Sequence, residues 1–131
     1  MKKIIGTMGI CLLAAGCQTT GSSQSFKGVA VAGKPLKLGS ARAINPDCSS
    51  IGTTTIRVLS GPVNGKVSIR HSTDFATFRR NNLRSVCNTR RVPSDQLWYV
   101  SSKPGATDQV TAEYIFPTGT ARTYTYNIEV R

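Results

Sequence analysis

The amino-acid sequence predicts an all-β protein, a small antiparallel sandwich of six or seven short strands. Three observations carry that expectation. Apolar and polar residues alternate at a period of two in the segments after Thr53, the spacing of strands with one buried face. No segment shows a helical stripe at period 3.6, and there is no internal repeat. Gly- and Pro-containing breaks separate the β-branched runs, as turns between strands require. At 131 residues the chain has room for one domain. Leu, Ile, Val and Phe are sparse, but only 18% of residues are charged, which argues against disorder throughout.

The first residues look like an address. Lys2 and Lys3 precede an apolar stretch from Ile4 to Ala15, the charged and hydrophobic regions of a secretory signal, too short for a stable membrane span. The stretch closes with Leu12-Leu13-Ala14-Ala15-Gly16-Cys17, which resembles the bacterial lipobox. That resemblance implies a signal peptide over residues 1–16 and acylation of Cys17 as the new N-terminus. A diacylglycerol plus an amide-linked chain then suffices for stable anchoring. Gln18 in place of Asp implies, by the family's sorting rule in Gram-negative bacteria, the outer membrane. The plainer alternative is a signal peptide cut nearby, with Cys17 incidental. Residues 18–28, QTTGSSQSFKG, are small, polar and without period, so 17–28 is expected to be a flexible tether with a typical reach of about 18 Å. The domain proper is expected over 29–131.

Val29-Ala30-Val31-Ala32 and Leu36-Lys37-Leu38 flank Gly33 and Pro35, a pattern that suggests a broken edge strand. Thr53 to Leu59 is β-branched and alternating. Pro62-Val63-Asn64-Gly65 then offers a tight turn, with Lys66 to Arg70 as the returning strand. Leu97 to Val100 reads as a buried strand, with Trp98 and Tyr99 both assigned to the core. Val110, Ala112, Tyr114 and Phe116 share one face, Thr111, Glu113 and Ile115 the other. After Pro117-Thr118-Gly119 the partner strand sets Tyr124, Tyr126, Ile128 and Val130 on one face.

With Cys11 removed alongside the signal and Cys17 acylated, Cys48 and Cys87 remain. In an exported protein they are expected to pair, because the periplasm is oxidising. A metal or redox pair is the alternative. The chain has no C-x-x-C spacing and His71 is its single histidine, which weighs against that reading.

The run Gly61-Pro62-Val63-Asn64-Gly65-Lys66-Val67, then Trp98-Tyr99-Val100, then Pro104 to Asp108 and Val110 to Tyr114, resembles bacterial Ig-like or cadherin-like modules over about residues 52–131. The resemblance implies an Ig-like sandwich serving an adhesive, spacer or interaction role, and no activity. Calcium is not carried over to Asp108, which has no second carboxylate nearby in sequence.

The most informative feature is charge. The whole chain carries +11, and residues 17–131 hold fifteen basic against six acidic residues, a net +9. Between Lys66 and Arg91 stand Lys66, Arg70, Arg79, Arg80, Arg84, Arg90 and Arg91, opposed only by Asp74. Six of these seven are arginine, whose planar fork suits phosphate or carboxylate. Asn81, Asn82 and Asn88 add amide donors, and Phe75 or Phe78 could anchor a partner. The expected partners are the membrane, through the N-terminal lipid, and an anionic envelope component such as lipopolysaccharide or peptidoglycan. The competing class is an accessory subunit of an envelope secretion or assembly complex, whose partner presents an acidic protein surface. Nucleic acid is the lesser candidate among the anions. The bland reading is a solvated basic loop.

No catalysis and no cofactor are expected. His71 beside Ser72 and Asp74 reads as a turn and not a triad, and no Gly-rich phosphate cradle or metal-ligand cluster exists.

Overall fold

The computed structural model describes residues 23–131. The signal-peptide and lipidation expectations, residues 1–16 and Cys17, lie outside the described residues. The strands are β1 (Ser23–Ala30), β2 (Leu36–Ala41), β3 (Thr55–Ser60), β4 (Lys66–Phe75), β5 (Arg91–Val100), β6 (Thr107–Ile115) and β7 (Ala121–Val130), with a short 3₁₀ helix, Leu83–Thr89, between β4 and β5. They form two sheets, one in the order β1-β7-β6-β3 and one in the order β2-β5-β4. The fold is the expected all-β sandwich with one disulfide, Cys48–Cys87.

The alternation read in β6 and β7 sets the main core. Val110, Ala112, Tyr114, Tyr126, Ile128 and Val130 face Ala41, Leu97 and Tyr99 of the other sheet. Tyr114 and Tyr126 reach across the sandwich, their hydroxyls 2.9 Å apart, and both close on the backbone of Gly39, where β2 shifts register against β5. A second, smaller core joins Ile44, Ala76, Cys87 and Val92, with Cys48 and Phe78 packed on it. By strand alternation Val92 turns away from Leu97 and Tyr99, so this cluster gives the disulfide region its own apolar floor.

Three expectations are corrected. First, residues 23–28 are strand and not tether: β1 begins at Ser23 and runs parallel to β7, Ser23 opposite Thr123 and Ala30 opposite Val130. Only Ala30 of the eight is buried, so the strand is held chiefly by backbone hydrogen bonds, which polar side chains permit. This pair also makes the sandwich not wholly antiparallel. Second, Pro62 to Gly65 closes no hairpin, because β3 pairs with β6 and β4 with β5. The segment carries the chain from one sheet to the other. Third, Trp98 is half-buried on the outer face, while its neighbour Tyr99 is core; adjacent strand residues point to opposite faces. The short 3₁₀ helix leaves no stripe in the sequence, because only Cys87 of its seven residues is buried.

The crossing at Pro62 to Gly65 is held by Asp108. Its carboxylate accepts the N–H groups of Val63 at 2.8 Å and Asn64 at 3.0 Å, and the Tyr99 hydroxyl at 2.6 Å. Burial alone would raise this carboxyl, but the Tyr99 hydroxyl and the two backbone donors outweigh it and hold it below its ordinary value. A carboxyl depressed in the folded state contributes stability that is fully present above its unfolded value of about 4. That contribution is lost as pH falls through the lower folded value. Asp108→Asn is expected to cost about 2 kcal/mol at neutral pH, since it leaves buried partners poorly matched. Urea unfolding should also show a shallower loss of stability on acidification than the parent chain. An unchanged acid limb would remove Asp108 from this role.

Candidate functional site

The arginine-bearing segments after β2 and β4 and before β5 gather at one end of the sandwich. The C-terminal ends of β2 and β4 and the N-terminal end of β5 meet there in one sheet, with Ala41 opposite Asp95 and Phe75 opposite Arg91. The start of β1 and the β6–β7 turn stand at the same end of the other sheet, across a shared cleft. The disulfide joins the loop after Ile44 to the 3₁₀ helix at this end, with 5.6 Å between the Cα atoms.

The seven cations read as one basic segment divide among several tasks. Arg79, Arg80 and Arg90 are exposed, with no hydrogen bond or ion pair from their side chains among the described residues. Arg84 is half-buried and donates Nε–H to the Ile44 carbonyl at 2.6 Å, tying the helix to the disulfide loop. Arg91 donates to the Thr73 carbonyl at 3.0 Å and lies 5.3 Å over the Phe75 ring. Arg70 stands 4.6 Å over the Trp98 ring on the outer face. Lys66 pairs with Val100 at the opposite end of β4, about 30 Å of strand away from Phe75.

The two phenylalanines also separate. Phe78 packs against the smaller core and is not available as a partner anchor, whereas Phe75 stays 46% exposed beneath Arg91. Asn82 caps the 3₁₀ helix through Arg84 N–H, and Asn88 bonds both N–H and carbonyl of Phe78. Those two amides are engaged within the loop. In their place the helix offers Leu83 and Val86, 79% and 65% exposed. Exposed apolar side chains between arginines were missed because a lone Leu or Val in a polar run carries no period.

Each of the six acidic side chains in the described chain has a hydrogen-bond partner, and none is ion-paired with Arg79, Arg80 or Arg90. Asp74 accepts Lys37 Nζ at 2.5 Å, and that hydrogen bond is the main reason its carboxyl lies below the ordinary value. Glu113 takes Arg57, Glu129 takes Arg131, and Asp47 takes Ser49. Asp95 is buried and bonds both Thr54 Oγ1 and His71 Nδ1. His71 therefore meets Asp95, not Asp74 or Ser72, and the trio bridges the two sheets. No hydroxyl hydrogen-bonds to His71 among the described residues, and no cluster of three or more His, Cys, Asp or Glu side chains fit for a metal occurs there.

Two further arginines stand at the basic end. Arg42 follows β2 and Arg122 opens β7, and with Arg84 they line one cleft of about 430 Å³. Eighty residues separate them in sequence, so no local charge run marks them. The available signal was parity: Arg122 shares the inward face of Tyr124 and Tyr126.

No protein-family model matches this chain, and no curated protein matches it. Among solved structures, the solution structure of amebosin is similar, at 12% identity, 85% of this chain, 100% of that one and a TM-score of 0.46. A likeness of that size bears on neither fold nor function.

Proposed function

We propose that this chain is an outer-membrane-anchored lipoprotein without catalytic machinery, whose basic end contacts an anionic component of the envelope. The observation that carries the reading is where the chain enters the fold. Ser23 lies opposite Thr123, at the same end as Arg122, the disulfide and the Arg79–Arg80 turn. A lipid on Cys17 would be six residues from Ser23, a span of about 20 Å at most. Acylation would thus hold the basic end toward the membrane, and the arginines would add headgroup contacts to the anchoring that the lipid supplies. Leu83 and Val86 beside the arginines suit the apolar layer beneath phosphate headgroups. The accessory-subunit reading draws on the same two exposed side chains, as a protein contact.

The test uses the full chain with Cys17→Ser, so that no lipid dominates binding, and sediments it with lipopolysaccharide-containing vesicles. Retention is expected to fall at least about tenfold between low and physiological salt, as screening of phosphate contacts requires. An Arg79→Ser, Arg80→Ser, Arg90→Ser variant should bind about tenfold less at low salt. Retention indifferent to both salt and arginines would overturn the reading in favour of a protein partner.

A further inference from the structure

The cleft at the basic end has the make-up of a discrete anion site. Its lining includes Arg42, Arg84 and Arg122, and among the described residues no carboxylate. None of the three guanidiniums is fully engaged. Arg42 donates Nη2 to Ser40 Oγ at 2.8 Å and Nη1 to Thr77 Oγ1 at 3.2 Å, both neutral acceptors, and its Nε is buried with no partner. Burial lowers the Arg42 pKa, and Asp74 only partly restores it. Arg84 spends Nε on the Ile44 carbonyl and leaves both terminal nitrogens without a partner among the described residues. Arg122 has no hydrogen bond or ion pair among the described residues.

A buried N–H of a charged group without an acceptor is costly, and such groups in folded proteins call for a missing partner. Three cations with no acid between them match a doubly charged group better than a singly charged one. The rest of the wall is mixed. Phe116 and Tyr124 offer aromatic surface, and Thr118 and Thr120 offer hydroxyls, a combination suited to a sugar ring with its apolar face and hydroxyl edge. The volume is in the range of small-ligand sites.

We infer that the Arg42–Arg84–Arg122 cleft binds the phosphate of a phosphorylated sugar, one per domain. The inference deepens the envelope-contact reading by naming a stoichiometric site apart from the exposed Arg79, Arg80 and Arg90 loop. A free sugar phosphate and the phosphorylated sugar headgroup of a glycolipid present the same chemistry, and the cleft stands at the end that faces the membrane in that reading.

The full chain with Cys17→Ser is titrated calorimetrically with glucosamine 6-phosphate, glucuronic acid and glucosamine. Saturable one-to-one heat is expected for the phosphate, much weaker heat for the carboxylate, and none for the phosphate-free control, glucosamine. Arg122→Gln, at an exposed position whose side chain makes no hydrogen bond or ion pair among the described residues, should weaken the phosphate at least about tenfold. The Arg79→Ser, Arg80→Ser, Arg90→Ser variant should leave it within about twofold. The side-chain Nε–H resonance of Arg42 should shift on saturation. Vesicles bearing lipopolysaccharide, added as competitor, separate the sources: displacement of the sugar phosphate assigns the glycolipid headgroup, and its absence assigns the free compound. No saturable heat by about 10 mM, or equal loss in both variants, would overturn the cleft. Vesicle binding that needs only the exposed loop would then survive by itself, so the two readings fail separately.

Discussion

Replacing Cys48 and Cys87 together by serine is expected to lower unfolding stability by about 4 kcal/mol, from the 39-residue separation they close. For a domain of this size that corresponds to a fall in melting temperature of about 20 °C. The smaller core around the bond has four buried residues to hold the loop once it is gone. Relief of the left-handed conformation at Cys48, φ 71°, offsets about 1 kcal/mol of the loss at most. The loss should be uneven. Hydrogen exchange should rise first in the 44–48 and 76–90 segments, while β6 and β7 keep the protection of the main core. Far-UV circular dichroism on heating checks the total, and a loss under about 1 kcal/mol would mean that the small core holds the loop without the bond.

Gly39→Ala is expected to cost about 3 kcal/mol, at the upper end of overpacking effects. A Cβ there would fall 2.4 Å from the Tyr126 hydroxyl and 2.5 Å from the Tyr114 hydroxyl. Neither can withdraw cheaply. Both rings are buried, and the hydroxyls are bonded to each other at 2.9 Å. The check is a cycle against Tyr114→Phe, Tyr126→Phe, which removes both oxygens and their mutual hydrogen bond. In that background the alanine should cost under about 1 kcal/mol. A penalty of the same size in both backgrounds would place the strain in the backbone of the β2 bulge and not at the tyrosine hydroxyls.

The parts legible from sequence were those where one face is wholly apolar. β6 and β7 follow the two-residue period from Asp108 to Val130, and their hairpin turn at Pro117 to Gly119 is as read. β5 was read only from Leu97. Its first half, Arg91 to Gln96, contains Pro93, Ser94, Asp95 and Gln96, a composition that suggests a loop. Three of those four are buried. Asp95 is satisfied by Thr54 and His71, and Gln96 by Trp98 Nε1–H. The partners of Asp95 come from distant parts of the chain and leave no local trace, and the Trp98 contact lies within β5 itself. The turn residues at Pro62 to Gly65 marked a reversal correctly but could not say which sheet receives the returning strand. Residues 23–28 of β1 read as tether because an edge strand needs backbone pairing and little burial. In the candidate site, the arginine run was visible as composition, whereas the three-arginine cleft depends on positions 42, 84 and 122 meeting only after folding.

The parallel pairing of β1 with β7 has a mechanical consequence. Its ladder starts at Ser23, the residue through which any pull from a lipid on Cys17 would enter. The strand runs from there along β7 to Ala30, so a pull directed along its axis toward the Ser23 end loads all eight pairs together in shear. Detaching it would also strip Phe26 from Tyr124 and the buried Tyr126, whose rings lie 5.7 and 5.8 Å from it. An edge strand with a single buried residue of its own is thereby a lengthwise grip on the main core.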